Sequence, residues 1–309
     1  MLGERDQEPF FSIVVPAYNR AATIDRAIAS CLGQNFARFE LVIVDDGSQD
    51  GTSAVVARHR DPRIVCVRQD NAGASAARNR GADLARGRFL AFLDSDDEFL
   101  PGKLAAFHAA IERAGPAADS TVWYSPLVFQ RGEGNRLVKP GRAIRPDEEV
   151  GDYLFAEDGL IQTSTLVVPA SLFGRVRFDE TLRTLEDLDL CLRLEAQGAA
   201  FRMLPEPLAI WHDEWAEGRL SHTTKARDVL GWAAAREAWL SERARSGLLA
   251  RHLVPIHLRH APVEAARLLA TAVRHRSLSP GRAGSLLLRG AAPGLYARLR
   301  DAVVSCLAR

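Results

Sequence analysis

Residues 40–48 read Glu-Leu-Val-Ile-Val-Asp-Asp-Gly-Ser, a short apolar, β-branched run that ends abruptly in acid. Such a run reads as a strand buried on both faces whose C-terminal end opens into a loop. Working outward, the same unit precedes it at Phe11-Ser-Ile-Val-Val15, stopped by Pro16, and follows it at Ile64-Val-Cys-Val67 and Arg88-Phe-Leu-Ala-Phe-Leu93. Helices separate these runs. Ile24, Ala27, Ile28 and Cys31 fall at helical spacing between Ala22 and Leu32, a second helix follows Gly51, and a third is predicted from about Gly73 to Ala85. Alternating strand and helix with near-continuous apolar strands predicts an α/β fold: a Rossmann-like, mostly parallel central sheet with helices on both faces. In such sheets ligands bind beyond the C-terminal strand ends.

After Pro101 the rhythm changes. A helix carrying Leu104, Phe107 and Ile111 leads to an apolar stretch from Thr121 to Phe129, and Gly132-Glu-Gly-Asn135 reads as a hairpin turn. Further strands are predicted at Thr163 to Val168 and Leu208 to His212, with a helix at about Leu185 to Gln197 between them. From Thr223 the pattern is helical, rich in Ala, Leu and Arg, and broken by Pro255, Pro262, Pro280 and Pro293. The expected division is a domain at residues 1–222 and a basic helical C-terminal extension at 223–309.

The total charge of the 309 residues, +1, conceals an asymmetry. From Ser241 onward 12 arginines and no lysine face only Glu242, Glu264 and Asp301, a net +9, which leaves −8 on the first 240 residues. Such a split points to a partner surface of opposite sign. No apolar run reaches the roughly 18 residues that a membrane-spanning helix needs. The charged N-terminus lacks a secretory h-region, and the four scattered cysteines form neither a zinc motif nor a disulfide framework. A cytoplasmic location is expected.

The chemistry should lie just past each strand. Pro16-Ala-Tyr-Asn-Arg20 follows the first, Asp45-Asp46-Gly47-Ser48 the second and Asp94-Ser95-Asp96-Asp97 the fourth, so two acidic clusters converge on one sheet edge. A pair of carboxylates at about 4 Å repels by roughly 4 kcal/mol at an effective dielectric of about 20. A divalent cation offsets this, and Asp-x-Asp on a turn offers hard oxygen ligands suited to Mn²⁺ or Mg²⁺ shared with a diphosphate. No GxGxxG follows the first strand, and no GxxxxGK[ST] occurs.

Five stretches then carry a family resemblance: Val15-Pro-Ala-Tyr-Asn-Arg20, Val44-Asp-Asp-Gly-Ser48, Asn71-Ala-Gly-Ala-Ser-Ala-Ala-Arg-Asn-Arg-Gly81, Phe92-Leu-Asp-Ser-Asp-Asp97 and Leu185-Glu-Asp-Leu-Asp-Leu190. In this order, over residues 10–215, they resemble the motifs of family-2 glycosyltransferases with a GT-A fold. The resemblance implies an inverting, metal-dependent sugar transfer from a nucleotide-sugar donor, a UDP-sugar, to a hydroxyl of a glycan or lipid-linked acceptor. It implies that Pro16, Ala17, Tyr18, Asp45, Arg78, Asp94 and Ser95 bind the nucleotide, with Tyr18 packing on the base and Asp45 accepting an imide N–H. Asp96 would hold the metal, Asp187 would be the general base and Glu186 would meet the acceptor. Asp46 is divided between a second nucleotide contact and a helix cap, and Asp189 is expected to be structural.

Three further expectations concern the end of the chain. His212, after the last strand, is a candidate metal ligand set against a structural hydrogen-bonded histidine. Arg219, in a polar stretch that would form a flap, is a candidate diphosphate contact because guanidinium binds phosphate oxygens bidentately. The basic tail is either a solvated helical subdomain, a peripheral contact with the inner face of an anionic membrane, or a self-association surface. Nucleic acid is not expected as a partner. Two other functions stay open at this point: a nucleotidyltransferase, disfavoured by the lack of a basic triphosphate loop, and a catalytically silent nucleotide-sugar-binding or scaffold protein.

Overall fold

The computed structural model describes residues 8–131, 136–157, 159–212, 225–296, 298 and 299. In chain order its elements are β1 (Phe11–Ala17), α1 (Ile24–Leu32), β2 (Phe39–Asp45), α2 (Thr52–Val56), β3 (Ile64–Arg68), α3 (Ala74–Leu84), β4 (Phe89–Phe92), β5 (Glu98–Phe99), α4 (Lys103–Ala114), β6 (Thr121–Tyr124), β7 (Leu127–Gln130) and β8 (Arg136–Lys139). There follow α5 (Val150–Phe155), β9 (Val167–Pro169), α6 (Ala170–Val176), α7 (Glu186–Ala196), β10 (Ala200–Met203), β11 (Ala209–His212), α8 (Ala226–Ala235), α9 (Glu242–His260), α10 (Pro262–Arg274) and α11 (Pro280–Ala291). They form two compact units, Met1–Phe129 with Ile161–Asp213, and Gln130–Leu160 with Glu214–Arg309.

The first unit is built on a seven-stranded sheet ordered β10-β6-β9-β4-β1-β2-β3. Strands β3, β2, β1 and β4 run parallel, as the strand-helix alternation requires. Side chains alternate across the pleat. Ile13, Val15, Leu41 and Ile43 face Ile24, Ile28 and Cys31 of α1 and Leu104, Phe107 and Ile111 of α4, all in one buried cluster. Val42 and Val44 face the other way and meet Ala77 of α3. Helix α3 lies so close to the sheet that a Cβ at Gly81 would sit 2.5 Å from Val14 Cγ1.

Register sets the site. Ala17 lies opposite Asp45, and Asp45 opposite Arg68, so the acid-bearing ends of the strands are level. Phe92 lies opposite Val14, which brings Asp94 to the same edge. Strand β9 runs antiparallel between β4 and β6, so its leading residues, 162–166, start at that edge as well. The sequence placed a strand from Thr163; instead Thr163–Thr165 form a 3-10 turn before β9, capped by the Gln162 side chain accepting the Ser164 N–H.

The second unit packs α10 and α11 against α9 around Ala250, Val254, Ala265, Ala272 and Leu278. Residues 130–160, read from the sequence as part of the first domain, cluster instead with the C-terminal helices. The reason lies in α5: Phe155 meets the Trp232 ring edge-on, Asp152 accepts from Ser241 Oγ at 2.5 Å, and Glu157 accepts from Arg243 Nη2 at 2.5 Å. Six residues of α5 carry too little periodicity to announce those partners. The predicted hairpin turn at 132–135 lies outside the described residues.

The tight approach at Gly81 yields a stability prediction. Gly81→Ala is expected to overpack the α3–sheet contact and lower unfolding stability by about 1–3 kcal/mol. A urea titration checks this through a lower midpoint at unchanged slope.

Candidate functional site

The loops after β1 and β2 are fastened to each other by short polar side chains. Asn19 N–H donates to Ser48 Oγ at 3.0 Å, Arg20 N–H to Thr52 Oγ1 at 2.7 Å, and Gln49 N–H to Asn19 Oδ1 at 2.8 Å. Pro16 and Ala17 are buried in β1, and Tyr18, the first residue beyond it, is 44% exposed at the sheet edge. Asp45 is buried and accepts from Ser48 N–H at 2.9 Å, from Ser53 Oγ, and from Arg68 Nη1 at 3.0 Å. Burial would raise its pKa, but the hydrogen bonds from Ser48 and Ser53 and the Arg68 charge outweigh that and hold the carboxyl below the ordinary range. Asp46 turns toward the next loop, accepting from Gln69 Nε2 at 2.8 Å, Ala72 N–H at 2.9 Å and Gly73 N–H at 2.8 Å. These bonds hold the loop that leads into α3.

The second acidic loop is supported from beneath. Gln162 Nε2 donates to Asp94 Oδ2 at 2.9 Å and to Asp97 Oδ2 at 3.2 Å. Ser164 Oγ donates to Asp97 Oδ2 at 2.6 Å and accepts the Asp94 N–H at 3.0 Å. The Ser164 carbonyl in turn accepts from Lys103 Nζ at 2.8 Å. Lys103 is fully buried, its ammonium 4.3 Å from the Phe99 ring centroid. Burial pulls its pKa down to about 7, against the opposing pull of Cys31 and Asp97. Ser95, between the two acids, is buried.

Arg78 joins this loop to α7. Buried on α3 and stacked 5.1 Å over Phe178, it donates from Nη2 to Asp94 Oδ1 at 2.7 Å and from Nη1 to Glu186 Oε1 at 3.0 Å. Burial opposes its charge, yet Asp94 and Glu186 more than compensate and raise its pKa. Leu185, ahead of α7, has φ 66°, a left-handed conformation that costs a non-glycine residue about 1–2 kcal/mol. That turn presents Glu186 and Asp187 at the helix N-terminus. Asp187 is partly buried, accepts the Leu188 N–H at 2.8 Å, and has its pKa pushed up to about 7. Desolvation is the main cause, then the Glu186 charge; the Leu188 hydrogen bond and Arg78 act the other way. One guanidinium cannot neutralise three neighbouring carboxylates, so one of them holds its proton to near neutrality. Asp189 is fully buried and bonds Arg193 at 2.6 Å, whose other donors reach the carbonyls of Val176 and Arg177. It serves the helix.

Asp96 lies at the tip of its turn, with about a third of its side chain exposed and Arg20 Nε 4.0 Å away. Its backbone carbonyl accepts from Arg26 Nη2 at 2.7 Å, and Arg26 Nε is 3.2 Å from Glu98. His212 ends β11 beside β5, and its Nε2 is 2.5 Å from Glu98 Oε1. Among the described residues no three His, Cys, Asp or Glu side chains gather into a set able to hold a metal by themselves. Arg219 and its flap lie outside the described residues.

The fold therefore gathers Arg78, Asp94, Glu186 and Asp187 into one network, with Asp45 on the neighbouring loop and the Asp96 and His212 pairs alongside. Sequence reasoning missed Gln162, Ser164, Lys103 and Asn79. Asn79 binds the backbone of Phe178 in both directions, at 3.0 Å each, and Glu180 at 2.8 Å, anchoring the loop that leads to α7. Gln162 and Ser164 sit in no acidic motif, and Lys103 follows Gly102 like any solvated lysine. The signal available was the position of Lys103 one residue before the apolar series Leu104, Phe107, Ile111.

The architecture defines the class first. The chain superposes on S. aureus TarS 1–349 in complex with UDP-GlcNAc with a TM-score of 0.62, covering 96% of this chain and 89% of that one at 21% identity. It superposes on the mannosyltransferase PcManGT from Pyrobaculum calidifontis, in complex with GDP-Man and Mn²⁺, with a TM-score of 0.57, covering 97% and 86% at 18% identity. This is the GT-A fold. Residues 12–170 match the family described as Glycosyl transferase family 2, and the chain is 32% identical over 239 residues to the amylovoran biosynthesis glycosyltransferase AmsB of Erwinia amylovora, covering 75% of this chain and 79% of that protein. The chain belongs to glycosyl transferase family 2 and is a glycosyltransferase.

Lys103 makes the support layer testable through pH. Its folded-state pKa, about 7, lies below the ordinary 10.5, so between these values the unfolded chain holds a proton that the native one lacks. Stability contributed by this site therefore rises as pH climbs through that window. Lys103→Met should remove the rise, which is read as the difference between wild-type and variant denaturation midpoints at a series of pH values.

Proposed function

We propose that the chain catalyses inverting transfer of a glycosyl group from a nucleoside-diphosphate sugar, a UDP-sugar, to a hydroxyl of a glycan or lipid-linked acceptor in polysaccharide biosynthesis. The observation that carries this is the Arg78 bridge between Asp94 and Glu186, with Asp187 beside it at a pKa near 7. A base at that value is unprotonated often enough near neutral pH to take the acceptor proton, and basic enough to want it. The partly exposed Asp187 would remove the hydroxyl proton as the oxygen attacks the anomeric carbon opposite the departing diphosphate, while Glu186, fixed by Arg78, orients the acceptor. Pro16, Ala17, Tyr18 and Asp45 would line the base, with Tyr18 free to stack on it; Asp94 and Ser95 would face the ribose. The AmsB relative, named for amylovoran biosynthesis, supports the polysaccharide setting, and the UDP-GlcNAc and GDP-Man in the similar structures support a nucleotide-sugar donor.

A divalent cation, Mn²⁺ or Mg²⁺, fits the donor set, because Asp96 offers an accessible hard oxygen at a turn held by Arg26. When bound it supplies charge that stabilises the leaving diphosphate. Asp96 would hold it, with the remaining ligands drawn from diphosphate oxygens and water. His212 would join only by exchanging its Glu98 partner. The nucleotidyltransferase and silent-scaffold readings are not favoured, because the family is one of glycosyltransferases.

Two measurements test this reading. Asp187→Asn is expected to cut kcat by about 10²–10⁴-fold while leaving donor binding intact. In the wild type, kcat/KM should rise with pH to a plateau with a midpoint near 7, as the Asp187 carboxyl loses its proton; near-normal turnover in the variant would move the base elsewhere. UDP at about 100 times its Kd with Mn²⁺ should add about 2.7 kcal/mol, seen as a raised Tm. Asp96→Ala should lose the Mn²⁺-dependent part of that shift, and no shift with any nucleoside diphosphate in the wild type would overturn the donor site.

A further inference from the structure

The second unit carries an apolar surface that its own core does not use. Helix α10 has two stripes. Ala265, Leu268 and Ala272, at i, i+3 and i+7, face the core with α9 and Leu278. Val263, Ala266, Ala270 and Val273, at i, i+3, i+7 and i+10, face outward, with Val263 66% and Val273 47% exposed. Helix α11 repeats the design, turning Ala283 and Gly290 inward and leaving Leu287 39% exposed. Between them runs an open groove of about 630 Å³, lined by Leu258, Pro262, Ala266, Leu269, Val273 and Leu287 among others, with Arg274 at its edge. Leu295 and Leu299 are exposed as well.

The charge around this surface is mostly positive among the described residues. Neither Arg274 nor Arg289 forms an ion pair among the described residues, and the only acid of α10, Glu264, lies 3.7 Å from Arg267. Elsewhere in residues 241–309 Arg243 pairs with Glu157 and Arg245 lies 3.7 Å from Glu237, so part of the basic excess is met within the unit, but that of Arg274 is not. A second copy of the chain docking here through a two-fold axis would set arginines against arginines. Nucleic acid would leave the leucine and valine groove exposed. An exposed apolar groove with the unpaired Arg274 among its lining residues matches acyl chains beneath anionic headgroups. Among the described residues no helix is long and apolar enough to cross a membrane.

We propose that the exposed apolar faces of α10 and α11 bind the surface of an anionic phospholipid bilayer, with Val263, Val273 and Leu287 entering the acyl boundary and Arg274 meeting headgroup phosphates. The attachment is peripheral. It places the enzyme where a lipid-linked acceptor would be presented, but does not depend on that acceptor.

The test is sedimentation of the full chain with vesicles of phosphatidylcholine alone and of phosphatidylcholine with about one third phosphatidylglycerol, at about 0.1 M salt. Binding is expected to the anionic vesicles only, and to weaken at about 0.5 M salt. Arg274→Ala should lower partitioning about fivefold, equivalent to about 1 kcal/mol. Val273→Glu and Leu287→Glu should each lower it about tenfold or more; the more exposed Val263→Glu repeats the test if either fails to keep the wild-type Tm. Absence of wild-type binding to anionic vesicles, equal binding to both vesicle types, or wild-type binding by folded glutamate variants would overturn the proposal. So would a concentration-dependent dimer in light scattering that Leu287→Glu dissolves, which assigns the face to a second copy.

Discussion

The site depends on one buried cation. Arg78 stands on α3, Asp94 follows β4 and Glu186 opens α7, three elements separated by up to 108 residues of chain. A guanidinium has a planar fork of donors, and here each arm is taken by a different carboxylate. Removing either acid would leave the other pairing intact but alter the field on Asp187; removing the arginine would leave three carboxylates without their common counter-charge. The cost of desolvating Arg78 is offset only because both acids are held in place, so α3, the β4 loop and the start of α7 are energetically one object.

What holds the acids is in turn a consequence of strand direction. Because β9 runs antiparallel to its neighbours, the chain entering it passes beneath the acidic loop, and Gln162 and Ser164 reach Asp94 and Asp97 from below. A parallel strand in that position would have delivered its far end to this edge. Lys103 closes the layer by binding the Ser164 carbonyl from within the apolar core between the sheet and α4. On the opposite side of the sheet edge the loops after β1 and β2 are stitched by Ser48, Thr52 and Asn19, so Tyr18 is displayed on a fixed backbone. A polar, charged site can stay ordered at the end of an apolar sheet because nearly every carboxylate in it has an assigned donor.

Much of this was legible along the chain. The parallel strands, their order of appearance, the acidic loops at their ends and the candidate base at the start of a helix all follow from local pattern: β-branched runs, helical spacing and acids at run ends. The missing parts share one property, that their role comes from a partner far away in sequence. Gln162 and Ser164 are ordinary polar residues until β9 turns back; Lys103 is an ordinary lysine until α4 packs it beneath the loop; Asn79 is one residue of a motif until it meets Phe178. That residues 130–160 group with the C-terminal helices is hidden for the same reason, since α5 is too short to reveal that its apolar side belongs with α8 and α9.

The sequence by itself determined the α/β class, the edge at which the chemistry gathers, the identities of its acids and the charge asymmetry between the body and the tail. These are properties of period, composition and run ends, which neighbouring residues settle among themselves. Only the tertiary structure decided that desolvation beside Glu186 pushes the Asp187 carboxyl up, and which cation binds Asp94 and Glu186. It also decided which side chains support the turn, and that the basic helices keep an apolar face in reserve. Those outcomes depend on burial and on distances of a few ångströms between distant segments, where Coulomb and desolvation energies change steeply, and no linear spacing encodes them.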